Sequence, residues 1–127
     1  MTVPGAEAAE QSGPKEVAEL TIRTMLRSVP AAVPGIVFLS GGLSEEAASA
    51  YLNEMNKIAD TPWNVSFSYG RALQHSALKG WAGSDLKAGQ AAVRARAQAN
   101  SEAAKGEYVL GTQPTSDEKL YVAGYTY

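Results

Sequence analysis

Apolar positions recur in two different rhythms along this chain. After Ser12-Gly13-Pro14, Ala18, Ile22, Met25 and Leu26 fall on one face at spacings of four, seven and eight, which is the period of an amphipathic helix. Pro14 near the first helical position and Glu16 in the first turn mark its start, and Pro30 and Pro34 end it and the turn that follows. Ile36-Val37-Phe38-Leu39 then breaks the helical rhythm. This short run, apolar on both faces and rich in β-formers, predicts a strand buried on both sides of a parallel sheet.

Ser40-Gly41-Gly42 closes that strand, and Ser44 with Glu45 and Glu46 opens a second helix whose stripe is Ala48, Tyr51, Leu52, Met55 and Ile58 or Ala59. From Trp63 to Tyr69 bulky residues alternate with small polar ones, as in a strand with two different faces. Gly70 and Arg71 follow it directly. A third helix is expected from about Ala72 to Trp81. A fourth runs from about Leu86 to Ala104, with Leu86, Val93 and Ala97 on one face and Gly106 after its end. The rest is a polar tail with tyrosines at 121, 125 and 127.

The order helix, strand, helix, strand, helix, helix, tail is that of α/β architecture. The equivalent strand ends, Ser40 and Ser68, lie 28 positions apart, a normal βα repeat, so the two strands are expected to be parallel. Two parallel strands need cover on both faces and neighbours on both edges. The expectation is therefore an incomplete sheet, with Met1 an internal methionine of a longer chain.

Composition removes several classes. The 127 residues are 45% hydrophobic with a formal net charge of -2, so neither a nucleic-acid groove nor an anionic membrane surface is expected. There is no cysteine, hence no disulfide framework and no thiolate metal site. No apolar run approaches the ~18 residues that span a bilayer, and the first eleven residues do not read as a signal peptide.

In parallel α/β folds ligands sit beyond the carboxyl ends of the strands. Here those ends are Ser40-Gly41-Gly42 and Ser68-Tyr69-Gly70-Arg71. Glycine lets backbone N–H groups crowd an anion, a helix start adds partial positive charge, and a guanidinium matches phosphate with a forked donor. Either loop alone reads better as a tight turn; the pair at matching strand ends, with an arginine, makes an anion grip an equally good reading. No Lys, Asp, Glu or His lies in a strand or at its end. The lysines at 15, 57, 79, 87, 105 and 119 fall on helices or in the tail, without the desolvated pocket a Schiff-base lysine needs. His75, the single histidine, reads as a surface or packed side chain. Trp63 and Trp81 read as packing, and Arg94 and Arg96 as surface charge with Lys87. Tyr121 and Tyr125 read as tail anchors before any catalytic role.

At these loops the chain resembles class I fructose-bisphosphate aldolase. The resemblance is carried by Val33-Pro34-Gly35-Ile36-Val37-Phe38-Leu39-Ser40-Gly41-Gly42, Ser44-Glu45-Glu46, Leu52-Asn53 and Met55-Asn56-Lys57. It continues through Pro62-Trp63, Phe67-Ser68-Tyr69-Gly70-Arg71-Ala72-Leu73-Gln74, Ala77-Leu78-Lys79, Trp81, Ala99-Asn100-Ser101 and Gly106. It implies an α/β fold, the C-terminal portion of a (β/α)₈ TIM barrel holding strands seven and eight. It divides the chain into a partial barrel domain at 1–106 and a C-terminal tail at 107–127.

The implied activity is the reversible, metal-free cleavage of fructose 1,6-bisphosphate to dihydroxyacetone phosphate and glyceraldehyde 3-phosphate through a lysine Schiff base, with no cofactor. Carried over, Ser40, Gly41, Gly42, Ser68, Gly70 and Arg71 bind a substrate phosphate. Tyr127 is the tail tyrosine that assists proton transfer. The family's Schiff-base lysine lies three residues before the position matched by Met1, so this segment by itself is expected to be inactive. Leu43 stands where glutamine is usual, and Gly80 where alanine is. The full-length protein is implied to be a homotetramer, with a sugar phosphate as its partner and neither nucleic acid nor membrane. The stretch 1–7 most resembles plastid forms from green algae, which implies a chloroplast location with the cytoplasm as alternative. The alternative function is a non-catalytic, barrel-derived binding or structural module.

Overall fold

The structure is a computed structural model and describes all residues except 59, 126 and 127. Its elements run α1 (Pro14–Ser28), β1 (Gly35–Phe38), α2 (Glu45–Lys57), β2 (Asn64–Phe67), α3 (Arg71–Trp81) and α4 (Leu86–Ala103). Each lies within two or three residues of the sequence expectation. Pro14 sits in the first turn of α1 and Ser44 caps α2, its hydroxyl accepting from the Ala47 N–H at 3.1 Å. The left-handed conformation of Ala82 (φ 44°) ends α3.

The two strands pair in parallel, with Ile36 opposite Val65 and Phe38 opposite Phe67. These four side chains share one face of the sheet, because a strand alternates its faces. On that side Val65 joins Ala18, Ile22, Leu52, Met55, Ala99, Ala103 and Tyr108 in a buried cluster, with Phe38 and Phe67 packed against it. A second cluster of Ala48, Tyr69, Ala72 and Leu120 lies next to it. Burial of such apolar surface contributes about 25 cal/mol per Å².

Three expectations are corrected. β1 is not buried on both faces: the helices cover one, and on the other Val37 and the following Leu39 are 61% and 53% exposed. Leu26 is exposed on α1, and Val17 and Thr21 are buried in its place. On α4 the expected stripe is reversed. Leu86, Val93 and Ala97 face outward, and Gly89, Arg96, Ala99, Asn100 and Ala103 face inward. Small side chains let α4 approach its neighbours closely, as at Gly89, where an added Cβ would lie 2.9 Å from Trp81 Cβ. In the α2 stripe Ala48, Leu52 and Met55 are buried and Tyr51 and Ile58 half-buried; Ala59 lies outside the described residues.

Candidate phosphate grip at the strand ends

The parallel register puts both glycine loops at the same end of the sheet. The Ser68 N–H extends the ladder by one bond, donating to the Phe38 carbonyl at 2.8 Å. The first loop is a four-residue turn closed by the Leu43 N–H on the Ser40 carbonyl at 3.0 Å. Gly41 and Gly42, its central residues, have φ of 58° and 87°, a conformation that favours glycine at both. Gly42 meets a second constraint: a Cβ there would lie 2.8 Å from the Tyr121 Cα. Ser40 is buried beneath this turn and Gly41 is exposed on it.

The second loop leads directly into a helix. Gly70 precedes α3 and offers no side-chain cap, so first-turn N–H groups of α3 remain donors for an anion. α2 differs, because Ser44 already occupies one of its first-turn donors. Tyr69 is buried, and its hydroxyl donates to the Ala48 carbonyl at 2.8 Å. Burial raises the pKa of this phenol far above its ordinary value, so it remains a neutral donor that fastens the loop to α2. Ser68 and Gly70 are exposed, and Arg71 is half-buried.

The tail joins the two loops. The Leu120 N–H donates to the Gly42 carbonyl at 2.9 Å, and the Leu120 carbonyl accepts from Arg71 Nη1 at 2.6 Å. One residue of the tail is thus held between both loops. The Arg71 guanidinium also lies 4.6 Å from the centroid of the Tyr125 ring, within cation–π range. Upstream, Glu118 lies 3.1 Å from His75 Nε2 and accepts from Lys79 Nζ at 3.2 Å. Lys79 first, and His75 second, hold the Glu118 carboxyl below the ordinary carboxylate range. His75 therefore gains an acidic partner 43 positions away that its own neighbourhood did not reveal. Arg71, His75, Glu118 and Leu120 line a cleft of about 330 Å³, and Gly41, Gly42 and Tyr121 line another of about 320 Å³.

Of the residues expected in the site, Ser40, Gly41, Gly42, Ser68, Gly70 and Arg71 lie at this one end of the sheet; Tyr127 lies outside the described residues. Tyr121 and Tyr125 both lie against the grip, Tyr121 through its backbone and Tyr125 through its ring. Among the described residues there is no group of three or more metal-ligating side chains, and no helix is long and apolar enough to cross a membrane.

A buried polar cluster behind the loops was not anticipated. Arg96, expected as surface charge, is fully buried, as are Glu45, Ser49 and Asn100. Arg96 Nη2 donates to the Glu45 carbonyl at 2.9 Å and to Ser49 Oγ, and Ser49 Oγ donates to Asn100 Oδ1 at 2.6 Å. The signal available in the sequence was the spacing of Arg96 and Asn100 by four on the Ala99–Ala103 face, which puts polar groups on a stripe of small residues.

A family model described as glycolytic, fructose-bisphosphate aldolase class-I, matches residues 1–127. Fructose-bisphosphate aldolase 1, chloroplastic, of Pisum sativum is 48% identical over 130 residues, which cover all of this chain and 36% of that protein. The Chlamydomonas reinhardtii chloroplastic aldolase 1 is 47% identical over 130 residues, covering all of this chain and 34% of that protein. The cytoplasmic isozyme 2 of Pisum sativum is 48% identical over 132 residues, again over the whole chain and 36% of the relative. A co-crystal structure of fructose-bisphosphate aldolase from Plasmodium falciparum superposes with a TM-score of 0.80 at 47% identity, covering 84% of this chain and 31% of that one. The chain spans about a third of the length of the curated relatives it matches. With a matched model over every residue and an α/β segment that superposes on an aldolase, the chain belongs to the class I fructose-bisphosphate aldolase family.

Proposed function

We propose that this chain supplies the substrate-phosphate end of a fructose-bisphosphate aldolase, with β1 and β2 as the seventh and eighth strands of its barrel. The carrying observation is the backbone of Leu120, whose N–H donates to Gly42 and whose carbonyl accepts from Arg71: the two glycine loops converge on one residue. Ser40, Gly41, Gly42, Ser68, Gly70 and Arg71 would surround a phosphate there. Backbone N–H groups, hydroxyls and the α3 start donate hydrogen bonds, and the guanidinium balances charge. Residues 1–106 belong to the barrel and 107–127 form its tail. The activity is reversible cleavage of fructose 1,6-bisphosphate to dihydroxyacetone phosphate and glyceraldehyde 3-phosphate through a lysine Schiff base.

This segment does not provide that lysine in the proposed scheme. All six of its lysines are exposed, whereas a Schiff-base lysine is activated in a desolvated pocket. The uncovered face of β1, with Val37 and Leu39, supports completion of the sheet by further barrel strands. A homotetramer, Tyr127 as the proton-transfer residue and a chloroplast location complete the reading. Subcellular fractionation distinguishes the chloroplast from the cytoplasm.

The test is Arg71→Ala in the complete enzyme. Loss of a charged hydrogen bond of about 1.5–3 kcal/mol raises KM for the bisphosphate by roughly 10- to 150-fold. An unchanged KM would remove the phosphate role.

A further inference from the structure

The two glycine loops act on one anion only if the helices that follow them keep a fixed relation. α3 packs mainly on α4, and its direct contact with α2 is small. Among the described residues, the direct hydrogen bonds between α2 and α3 come from one side chain, beside the Tyr69 hydroxyl that ties the 68–71 loop to Ala48 of α2. Glu45, the first residue of α2, lies three positions beyond Gly42 and is fully buried. Its Oε1 accepts from the Ser76 N–H at 2.9 Å and its Oε2 from the Ser76 hydroxyl at 2.7 Å. Ser76 lies five positions after Arg71 on α3.

The same carboxylate faces the only buried guanidinium among the described residues. Arg96 Nε lies 4.0 Å from Oε2, just beyond hydrogen-bond reach, and has no hydrogen-bond partner. Arg96 Nη2 binds the Glu45 carbonyl, and Nη1 donates to the Pro114 carbonyl at 3.4 Å. Glu45 therefore joins α2 to α3 directly, and Arg96, on α4, joins α2 to α4 and the tail.

A buried carboxylate is costly unless it is paired and hydrogen-bonded. Packing alone is satisfied as well by apolar residues of similar volume. What a bidentate, charge-assisted hydrogen-bonded contact adds is direction, because it holds two groups in one relative orientation.

We propose that Glu45 is a positioning residue for the phosphate grip: by holding Ser76 it sets the 68–71 loop against the 40–42 loop. The proposal rests on the reading of those loops as a phosphate site, and the closing experiment separates the two. Glu45 touches no substrate in this scheme. It acts through the placement of Arg71 and of the α3 N-terminus, so its loss weakens phosphate binding without removing a reacting group.

The experiment uses the complete enzyme and inorganic phosphate as a competitive probe. In the unaltered enzyme, phosphate competes with the bisphosphate, and Arg71→Ala weakens that competition. If it does neither, the phosphate site itself is refuted. With that control in hand, Glu45→Gln preserves volume but removes the charge and one of the two carboxylate acceptors. The expected result is a rise of about tenfold in both the inhibition constant for phosphate and KM for the bisphosphate, with kcat within about twofold. A purely structural role would lower the melting temperature or the active fraction and leave both constants unchanged, and that result overturns the proposal. Should Glu45→Gln fail to fold, Ser76→Ala removes one donor from the same contact. It is expected to raise both constants about threefold, and unchanged constants there refute the proposal equally.

Discussion

Arg71 Nη1 donates to the Leu120 carbonyl at 2.6 Å, while the Leu120 N–H donates to Gly42 at 2.9 Å. The tail is therefore strapped across the two loops by its backbone rather than by a particular side chain. The strap needs close approach at Gly42, where φ is 87° and the Tyr121 Cα leaves no room for a Cβ. Gly42→Ala is expected to carry about 1–2 kcal/mol of left-handed backbone strain and to push the tail off the loop. Limited proteolysis checks this: cleavage within 118–125 should accelerate while the core remains resistant. An unchanged cleavage rate would show that the strap does not depend on this approach.

Acid should loosen the upstream end of the strap. Glu118 is clamped by Lys79 and His75, which lower its pKa in the docked state. A carboxyl whose docked pKa is depressed stabilises docking above its undocked value, ordinarily 4.5, and loses that contribution as pH falls through the docked value. Protection of the Leu120 amide from hydrogen exchange, corrected for its intrinsic pH dependence, should stay full down to about pH 5 and weaken modestly below, because Glu118 is an exposed partner and the backbone bonds of Leu120 remain. Glu118→Gln should abolish the acid step, and an acid step that persists in that variant would place its origin elsewhere.

Two helical glycines should respond oppositely to alanine. At Gly80 an added Cβ meets Ala88 at 3.6 Å, ordinary van der Waals contact. Gly80→Ala is expected to stabilise the fold by roughly 0.5–1 kcal/mol, because glycine is a poor helix former. At Gly89 the Cβ would lie 2.9 Å from Trp81 Cβ and 3.3 Å from the Ala77 carbonyl oxygen. Gly89→Ala should therefore destabilise by about 1–3 kcal/mol through overpacking. Thermal unfolding of the two variants measures the contrast, and equal shifts of one sign would contradict it.

Chemical trapping tests the division of labour. Borohydride reduction in the presence of dihydroxyacetone phosphate should modify none of Lys15, Lys57, Lys79, Lys87, Lys105 and Lys119, each of which is exposed. Mass spectrometry of the digested chain reads this out residue by residue. Modification of any one would assign Schiff-base chemistry to this segment.

Much of this was legible beforehand. Hydrophobic period and punctuation by Pro, Gly and Ser are local properties of the chain, and they marked six elements, the Ser44 cap and both loops at equivalent strand ends. The run of motifs through 33–42 and 67–74 carried the family. Residues such as Leu86 and Val93 misled for the same reason: an apolar stripe says which face prefers burial, but not whether a neighbour is there to cover it.

The sequence alone determined where helices and strands begin and end, and which side chains stand at the strand ends. Only the tertiary structure decided that Arg96 is buried against Glu45, that His75 meets Glu118, and that Leu120 lies between Gly42 and Arg71. Those pairs are separated by 43 to 78 positions along the chain. Local propensity extends over a turn or two, whereas a contact between distant residues exists only once packing has fixed which helix face lies against which.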